Sequence, residues 1–102
     1  MDSALVYRLT DLLGDPITPL PDPPAAASAA EAFLAQELDL TVDEIQLVSY
    51  ERAEWPDGCL GLGKKDEGCI QVITPGWRVV LEAQGRKYTL RTDETGQVIR
   101  ME

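Results

Sequence analysis

The short connections between strand candidates are the feature that most limits how this chain can fold. Five segments rich in β-branched and aromatic residues read as strands, at residues 46–54, 69–74, 77–83, 86–92 and 97–101. The last four are joined by Pro75-Gly76, by Gln84-Gly85 and by the Asp93–Gly96 segment. Connections of this length join antiparallel neighbours. The sequence therefore predicts an antiparallel meander of four or five strands.

One helix is predicted over residues 27–39, where alanine, glutamate, leucine and glutamine are good helix formers. Ala30, Phe33, Leu34 and Leu38 share a face of this helix, which predicts that it packs across the sheet in an α+β fold. Thr41 and Glu44 form a capping-box pattern that predicts a single turn before the first strand.

Alternation along the strands assigns side chains to the two faces of the sheet. The side predicted to meet the helix carries Val48, Tyr50, Ile70, Val72, Trp77, Val79, Leu81, Tyr88 and Leu90. The other side collects Ser49, Glu51, Gln71, Arg78, Glu82, Lys87, Thr89 and Arg91. The pattern predicts that this second, polar face is bare.

The N-terminal quarter of the chain is predicted to lie outside the main domain. Residues 4–13 read as a short helix, although they could equally start as a strand. Five prolines within residues 14–24 remove amide donors and predict an extended connector. Residues 25–102 are therefore predicted to form a single α+β domain, and residues 1–24 its N-terminal extension.

Charge and hydropathy limit the partners and the location of the protein. The net charge is −9, and a field of that sign repels phosphate backbones, which argues against nucleic acid as a partner. No segment has the roughly 20 consecutive apolar residues that a membrane span needs. The N-terminus does not resemble a signal peptide, so the chain is predicted to be cytosolic unless an export signal has been removed. A monomer or a weak homodimer is expected.

The chain contains no histidine, which excludes several kinds of catalytic site. Ser-His-Asp and Cys-His arrangements cannot be built, and two cysteines alone do not complete a zinc site. No phosphate-binding loop is recognised either. The paired carboxylates Glu51 with Glu54 and Asp66 with Glu67 read as solvated surface, and a weak hydrolase or isomerase that relies on such carboxylates is the minority alternative. We therefore predict no catalytic residues, no metal and no cofactor.

Cys59 and Cys69 leave three interpretations open. A disulfide between them would close a loop of eleven residues and stabilise the fold by roughly 2.8 kcal/mol. Two small buried apolar residues are an equal alternative, because cytosolic thiols are kept reduced. A redox switch is the third interpretation.

The segment between the first two strand candidates is the predicted interaction loop. Trp55 ends a strand, and Pro56 prevents the strand from continuing. The indole is predicted either to cover one end of the core or, with Leu60 and Leu62, to contact a partner. The residues assigned to this loop are Trp55, Pro56, Asp57, Gly58, Leu60 and Leu62.

Three motifs carry a resemblance to a known family: WPDGCLGL, a second cysteine before ITPGWRVVLE, and YTLRTDETGQVI. The chain resembles, over about residues 27–100, an uncharacterised group of small bacterial proteins that is common in cyanobacteria and often looks secreted or membrane-attached. It is more distantly similar to PepSY domains, which are proposed to bind or inhibit peptidases. The resemblance implies a small non-enzymatic α+β module in which Cys59 and Cys69 are paired. The GKKDEG segment departs from the shorter or more proline-rich loop of the relatives.

The sequence thus predicts a non-catalytic binding or regulatory module. Its partner is expected to be a protein or peptide that contacts the 55–68 loop or the open face of the sheet. The alternative is a thiol-based redox or metal sensor that uses Cys59 and Cys69.

Overall fold

The computed structural model describes residues 23–102. The predictions of a short helix or strand at 4–13 and of an extended segment at 14–22 lie outside the described residues. Within them, the chain forms one α-helix, one 3-10 turn and a four-stranded sheet. This arrangement confirms the predicted α+β class.

Helix α1 spans Ala25–Leu38 and begins directly after Pro24, whose extended backbone leads into the first turn. It ends at Asp39, which adopts a left-handed conformation (φ 58°) and donates its N–H to the carbonyls of Ala35 and Gln36. Left-handed residues commonly end helices in this way. The predicted single turn follows as a 3-10 turn over Val42–Glu44, although the Thr41 side chain makes no capping hydrogen bond.

The sheet is an antiparallel meander whose strands lie side by side in chain order. Its strands are β1 (Gln46–Trp55), β2 (Thr74–Ala83), β3 (Arg86–Asp93) and β4 (Ile99–Met101). β1 and β4 are the two edges of this sheet.

Two of the predicted turns are confirmed. Gln84 and Gly85 join β2 to β3 with φ values of 52° and 78°, the signature of a two-residue type I′ hairpin. Asp93 begins the β3–β4 turn, and its Oδ1 accepts hydrogen bonds from the N–H groups of Gly96, Gln97 and Val98. Carboxylate acceptance of this kind is the usual role of aspartate in turns.

The predicted strand at 69–74 is wrong for all but its last residue. The Ile70 carbonyl accepts hydrogen bonds from the N–H groups of Gly58 and Val72, and the second of these bonds closes a tight local turn. Pro75-Gly76 is correspondingly not a turn, because both residues belong to β2. Gly76 pairs with Asp93 at the end of β3, so Pro75 lies past that end, where a strand tolerates proline.

The core lies between α1 and one face of the sheet, which we call the helix face. Its buried residues include Leu34 of α1, Val79 and Leu81 of β2 and Leu90 of β3, as predicted. Phe33, Leu38, Trp77 and Tyr88 pack against them and are partly buried.

One predicted assignment to the helix face, that of Val48, is wrong at β1. An irregularity in the β1–β2 register between Leu47 and Ser49 brings Leu47 against the core and leaves Val48 exposed. A bulge of this kind shifts which residues point to each face. Tyr50 keeps the predicted side, because it stacks edge-on against Trp77, but it remains exposed.

Candidate functional site

The other face of the sheet, which we call the loop face, is covered at one end by residues 56–69, here called the disulfide loop. Leu60, in the first half of this loop, is 0% exposed, and its carbonyl accepts a hydrogen bond of 2.8 Å from Arg91 Nη1. The Leu62 carbonyl accepts one of 3.2 Å from Arg100 Nη1. The prediction of a bare polar face is therefore wrong for this part of the sheet.

Three arginines, here called the arginine row, lie on the loop face, and two of them, Arg91 and Arg100, donate the hydrogen bonds to the disulfide loop. Arg78 of β2 pairs with Arg91 of β3, and Arg91 pairs with Arg100 of β4, so the three side chains form one row across the strands. Glu102 lies beside the row, with 2.8 Å between its Oε2 and Arg91 Nε and 3.5 Å to Arg78 Nη2. The carboxylate reduces the mutual repulsion of these arginines.

Trp55 is the apolar part of the same site. Its side chain is buried, and the indole Nε1–H donates a 2.8 Å hydrogen bond to the carbonyl of Thr92. The guanidinium carbons of Arg91 and Arg78 lie 4.7 Å and 5.6 Å from the ring centroid, within cation–π range. Trp55 therefore closes the loop face, whereas the sequence predicted a cover for the end of the core.

Cys59 and Cys69 form a disulfide, with their Cα atoms 5.5 Å apart. The bond joins the two arms of the disulfide loop close to the backbone hydrogen bond between Gly58 and Ile70. This finding rules out the interpretation as two unbonded buried thiols. Disulfides are typical of oxidising locations, so the bond favours an exported protein over the predicted cytosolic one.

Asp57 and Gly61 shape the turn that carries Leu60 inward. One Asp57 carboxylate oxygen accepts the N–H groups of Cys59 and Gly61, at 2.9 Å and 3.0 Å. Leu60 and Gly61 both have positive φ, at 60° and 76°. A Cβ on Gly61 would lie 2.8 Å from Arg91 Nη1, so this position requires glycine for its backbone and for the close approach of the arginine.

Glu67 fixes the far side of the loop. Its carboxylate accepts hydrogen bonds from both Nη groups of Arg100, one of them 2.8 Å long, and a 3.0 Å hydrogen bond from the backbone N–H of Lys64. The hydrogen bond from Arg100, supported by the Lys64 N–H, lowers the pKa of Glu67 from 4.5 to about 2. The same pairing raises the pKa of Arg100. Glu67 is therefore ionised at any physiological pH.

The predicted carboxylate pairs are not brought together as reactive sites. Glu51 and Glu54 are three positions apart on β1, so they point to opposite faces of the sheet. Glu67 is engaged with Arg100, while its neighbour Asp66 is exposed.

One group of potential metal ligands occurs among residues 23–102. The Asp57 carboxylate and the two cysteine sulfurs lie within 4.8 Å of one another. In the disulfide form the sulfurs are not thiolates, which are the form that binds metal. This set can act as ligands only after the disulfide has been reduced.

An exposed apolar segment follows the disulfide loop directly. Ile70, Val72 and Ile73, here called the apolar segment, are 74%, 54% and 66% exposed. Three large β-branched side chains so exposed within four residues are unusual on a protein surface. The sequence assigned Ile70 and Val72 to the core, and the structure corrects both.

The predicted interaction loop is thus split between the interior and the surface. Trp55 and Leu60 are buried, Asp57, Gly58 and Leu62 are half-buried, and Pro56 is exposed. Sequence reasoning missed the roles of Arg78, Arg91 and Arg100. A usable signal was present, because Arg78 and Arg91 were placed on the same face and lie on strands joined by a two-residue turn.

None of the helices within residues 23–102 has the length and apolar character needed to cross a membrane. No curated protein matches the chain, and no solved structure does. A family model described as "Domain of unknown function (DUF8738)" matches residues 27–101, which include all but the first two residues of α1, the whole sheet and the disulfide loop. The predicted likeness to PepSY domains is not shown by this match and stays a prediction. The chain belongs to the DUF8738 family of domains of unknown function.

Proposed function

We propose that this protein is a non-catalytic binding module that contacts a protein partner through the apolar segment. The observation that carries the proposal is the exposure of Ile70, Val72 and Ile73, each more than half accessible to solvent. Apolar side chains clustered at a surface mark protein interaction sites, and truncating such side chains commonly weakens binding.

The disulfide loop supports the proposal by fixing the position of the apolar segment. The bond from Cys59 to Cys69 lies immediately before Ile70, and β2 begins at Thr74 immediately after Ile73. Both ends of the segment are therefore attached to fixed structure. A surface that is already ordered loses less conformational entropy when it binds.

Because Trp55 and Leu60 are buried, the proposed contact does not include these two residues of the predicted interaction loop. These two side chains are used to close the loop face, so they are not available as exposed contacts. The half of the loop face that the disulfide loop leaves free within residues 23–102, with Ser49, Glu82 and Lys87, carries polar side chains typical of ordinary surface.

The proposal is tested by placing a photo-crosslinking amino acid at position 72 in cells that produce the protein. Val42 is the matched control, because it is also apolar and half exposed. Val42 precedes the first residue of β1, whereas Val72 lies near the last residue of β1. A ten-residue strand separates the two sites by about 30 Å. We expect a discrete protein adduct from position 72 that position 42 does not give.

The adduct identifies a candidate partner, whose affinity is then measured with purified components. We expect the triple variant Ile70→Ser, Val72→Ser, Ile73→Ser to bind at least tenfold more weakly, while Val42→Ser binds like the wild type. Equal binding by the triple variant, or the same adduct from both positions, would refute the proposal.

A second candidate function is a thiol-based redox or metal sensor, supported by the disulfide and by the nearby Asp57 carboxylate. A dithiol reductant would supply two electrons and two protons, break the S–S bond to give two thiols and itself become a disulfide. This function requires that reduction change the loop and leave the sheet intact. Identical amide NMR spectra of the oxidised and reduced protein would exclude it.

A further inference from the structure

A groove of about 540 Å³ lies between the disulfide loop and the β4 edge of the sheet. Leu62, Lys64 and Glu67 form its loop wall, and residues 97–101 form its strand wall. Its volume is within the range of about 300–1,000 Å³ that is usual for ligand sites. The groove does not include the apolar segment, so binding in the groove does not depend on the partner proposed for that segment.

The backbone of β4 offers hydrogen-bonding groups to this groove. The backbone groups of Val98 and Glu102 point toward β3. The Val98 carbonyl accepts a hydrogen bond from the Asp93 N–H, and the Glu102 N–H donates one to the Thr89 carbonyl. Antiparallel strands alternate in this respect, so the N–H and C=O groups of Ile99 and Met101 point away from β3. In the described part of the chain, β4 is an edge strand and no strand pairs with that side.

The charges around the groove define what kind of strand it suits. Its lining contains two cations, Lys64 and Arg100, and one carboxylate, Glu67. Arg100 and Glu67 are paired with each other, which leaves the positive charge of Lys64 in excess. An acidic side chain on a bound strand would complement this charge, whereas a second copy of the chain would bring its own excess Lys64.

The other edge of the sheet is less suited to adding a strand. β1 is longer, but its register is interrupted between Leu47 and Ser49, and its exposed charged residues include Glu51, Arg52 and Glu54. Bulges and charges are the usual means by which edge strands are kept from pairing.

We propose that the β4 edge binds an extended acidic peptide segment of another protein by strand addition. The peptide would pair with the backbone of Ile99 and Met101, placing apolar side chains beside these residues and an acidic side chain near Lys64. Main-chain hydrogen bonds would supply affinity, and alternate side chains would supply specificity.

The test uses a defined probe, an acetylated and amidated nonapeptide of sequence TVEVTVEVT, titrated into isotope-labelled protein and followed by amide NMR. We expect shift changes confined to residues 62–67 and 97–101, and slower hydrogen exchange of the Ile99 and Met101 amides. Met101→Pro removes an outward N–H without removing a β3–β4 hydrogen bond, and should weaken binding at least tenfold. Met101→Val, which keeps the amide, is the matched control and should bind like the wild type.

Exchanging the charges of the peptide and of residue 64 tests whether the groove prefers acidic peptides. The peptide TVKVTVKVT should bind the wild type several-fold more weakly and should recover affinity for Lys64→Glu. The proposal is overturned if Met101→Pro binds as well as Met101→Val, if the shifts fall on β1 or on residues 70–73, or if no binding occurs at millimolar peptide. A concentration-dependent wild-type dimer that Met101→Pro abolishes would instead assign the edge to a second copy, and would also overturn it.

Discussion

The helix face and the loop face of the sheet are covered by different chemistry. Helix α1 packs on the first through apolar side chains such as Leu34, Leu81 and Leu90, all fully buried. The disulfide loop covers the second through guanidinium groups that donate to its carbonyls, one buried indole and one covalent bond. A polar strand pattern therefore does not imply a bare face when a loop can supply carbonyl acceptors to the arginines of that face.

Removing the helix covering and removing the loop covering should destabilise different amounts of the domain. Apolar packing on the helix face is shared among many residues of several elements, so its loss affects the whole domain. The loop face depends on a few specific bonds, and each of them can be removed separately. Substitutions at these bonds should therefore separate the two faces, with the largest effect at Trp55 and the smallest at Glu67.

Trp55→Ala should lower the free energy of unfolding by about 3–5 kcal/mol, because it deletes a buried aromatic side chain and its hydrogen bond to Thr92. Trp77→Ala is the matched control and should cost less, because Trp77 is only partly buried. Urea unfolding of the two variants measures the difference. An equal or smaller loss for Trp55→Ala would mean that the loop face contributes little to stability.

Replacing both cysteines by serine should lower the free energy of unfolding by roughly 2.8 kcal/mol, the chain-entropy value for a loop of eleven residues. In the native state, the loss of protection from hydrogen exchange should differ between the two faces of the sheet. Amides of the disulfide loop should exchange faster, while the relative protection within α1, β2 and β3 is kept, as hydrogen exchange followed by NMR will show. A uniform loss of protection would contradict the separation of the two faces.

Arg91→Ala should lower the free energy of unfolding by about 1.5–3 kcal/mol. The substitution leaves the carbonyl of the buried Leu60 without its hydrogen-bond donor and removes the guanidinium that lies over the Trp55 ring. Arg86→Ala, an exposed arginine at the start of the same strand, should stay within about 0.5 kcal/mol of the wild type. Thermal and urea melts of both variants provide the measurement. Equal effects would show that the arginine row has no particular role.

Glu67→Gln should have the smallest effect, and that effect should depend on pH. The pKa of Glu67 is lowered to about 2 in the folded protein, so its contribution is fully present above the unfolded value near 4.5 and is lost as the pH falls toward 2. The stability difference between wild type and Glu67→Gln should therefore shrink over that window. Asp66→Asn controls for the change in charge, and a difference that is constant from pH 6 to pH 2 would rule out the Arg100 pairing.

Local patterns were enough to predict the part of the helix face that α1, β2 and β3 form. The helix-forming composition around Phe33 and Leu34 gave α1, and alternation placed Val79, Leu81 and Leu90 toward it. The Gln84-Gly85 hairpin followed from its length and its glycine. These features depend on residues that are near one another in sequence, which is why a single sequence contains them.

The loop face could not be predicted in the same way, because its contacts join distant parts of the chain. Trp55 bonds to Thr92, and Arg100 reaches Leu62, across separations of 37 and 38 residues. The strand-like composition of residues 70–73 favoured a paired strand, but the disulfide and the local turn at Ile70 leave them unpaired and exposed. The face reversal at Val48 depends on one register irregularity that no local pattern marks.

The most direct test of this account is the hydrogen-exchange rate of the Trp55 indole N–H, measured by NMR on the oxidised protein with the Trp77 indole as the internal reference. Because the Trp55 N–H is buried under the disulfide loop and bonded to the Thr92 carbonyl, we expect it to exchange far more slowly than that of Trp77. Equal, rapid exchange of the two indoles would show that the disulfide loop does not cover this face of the sheet.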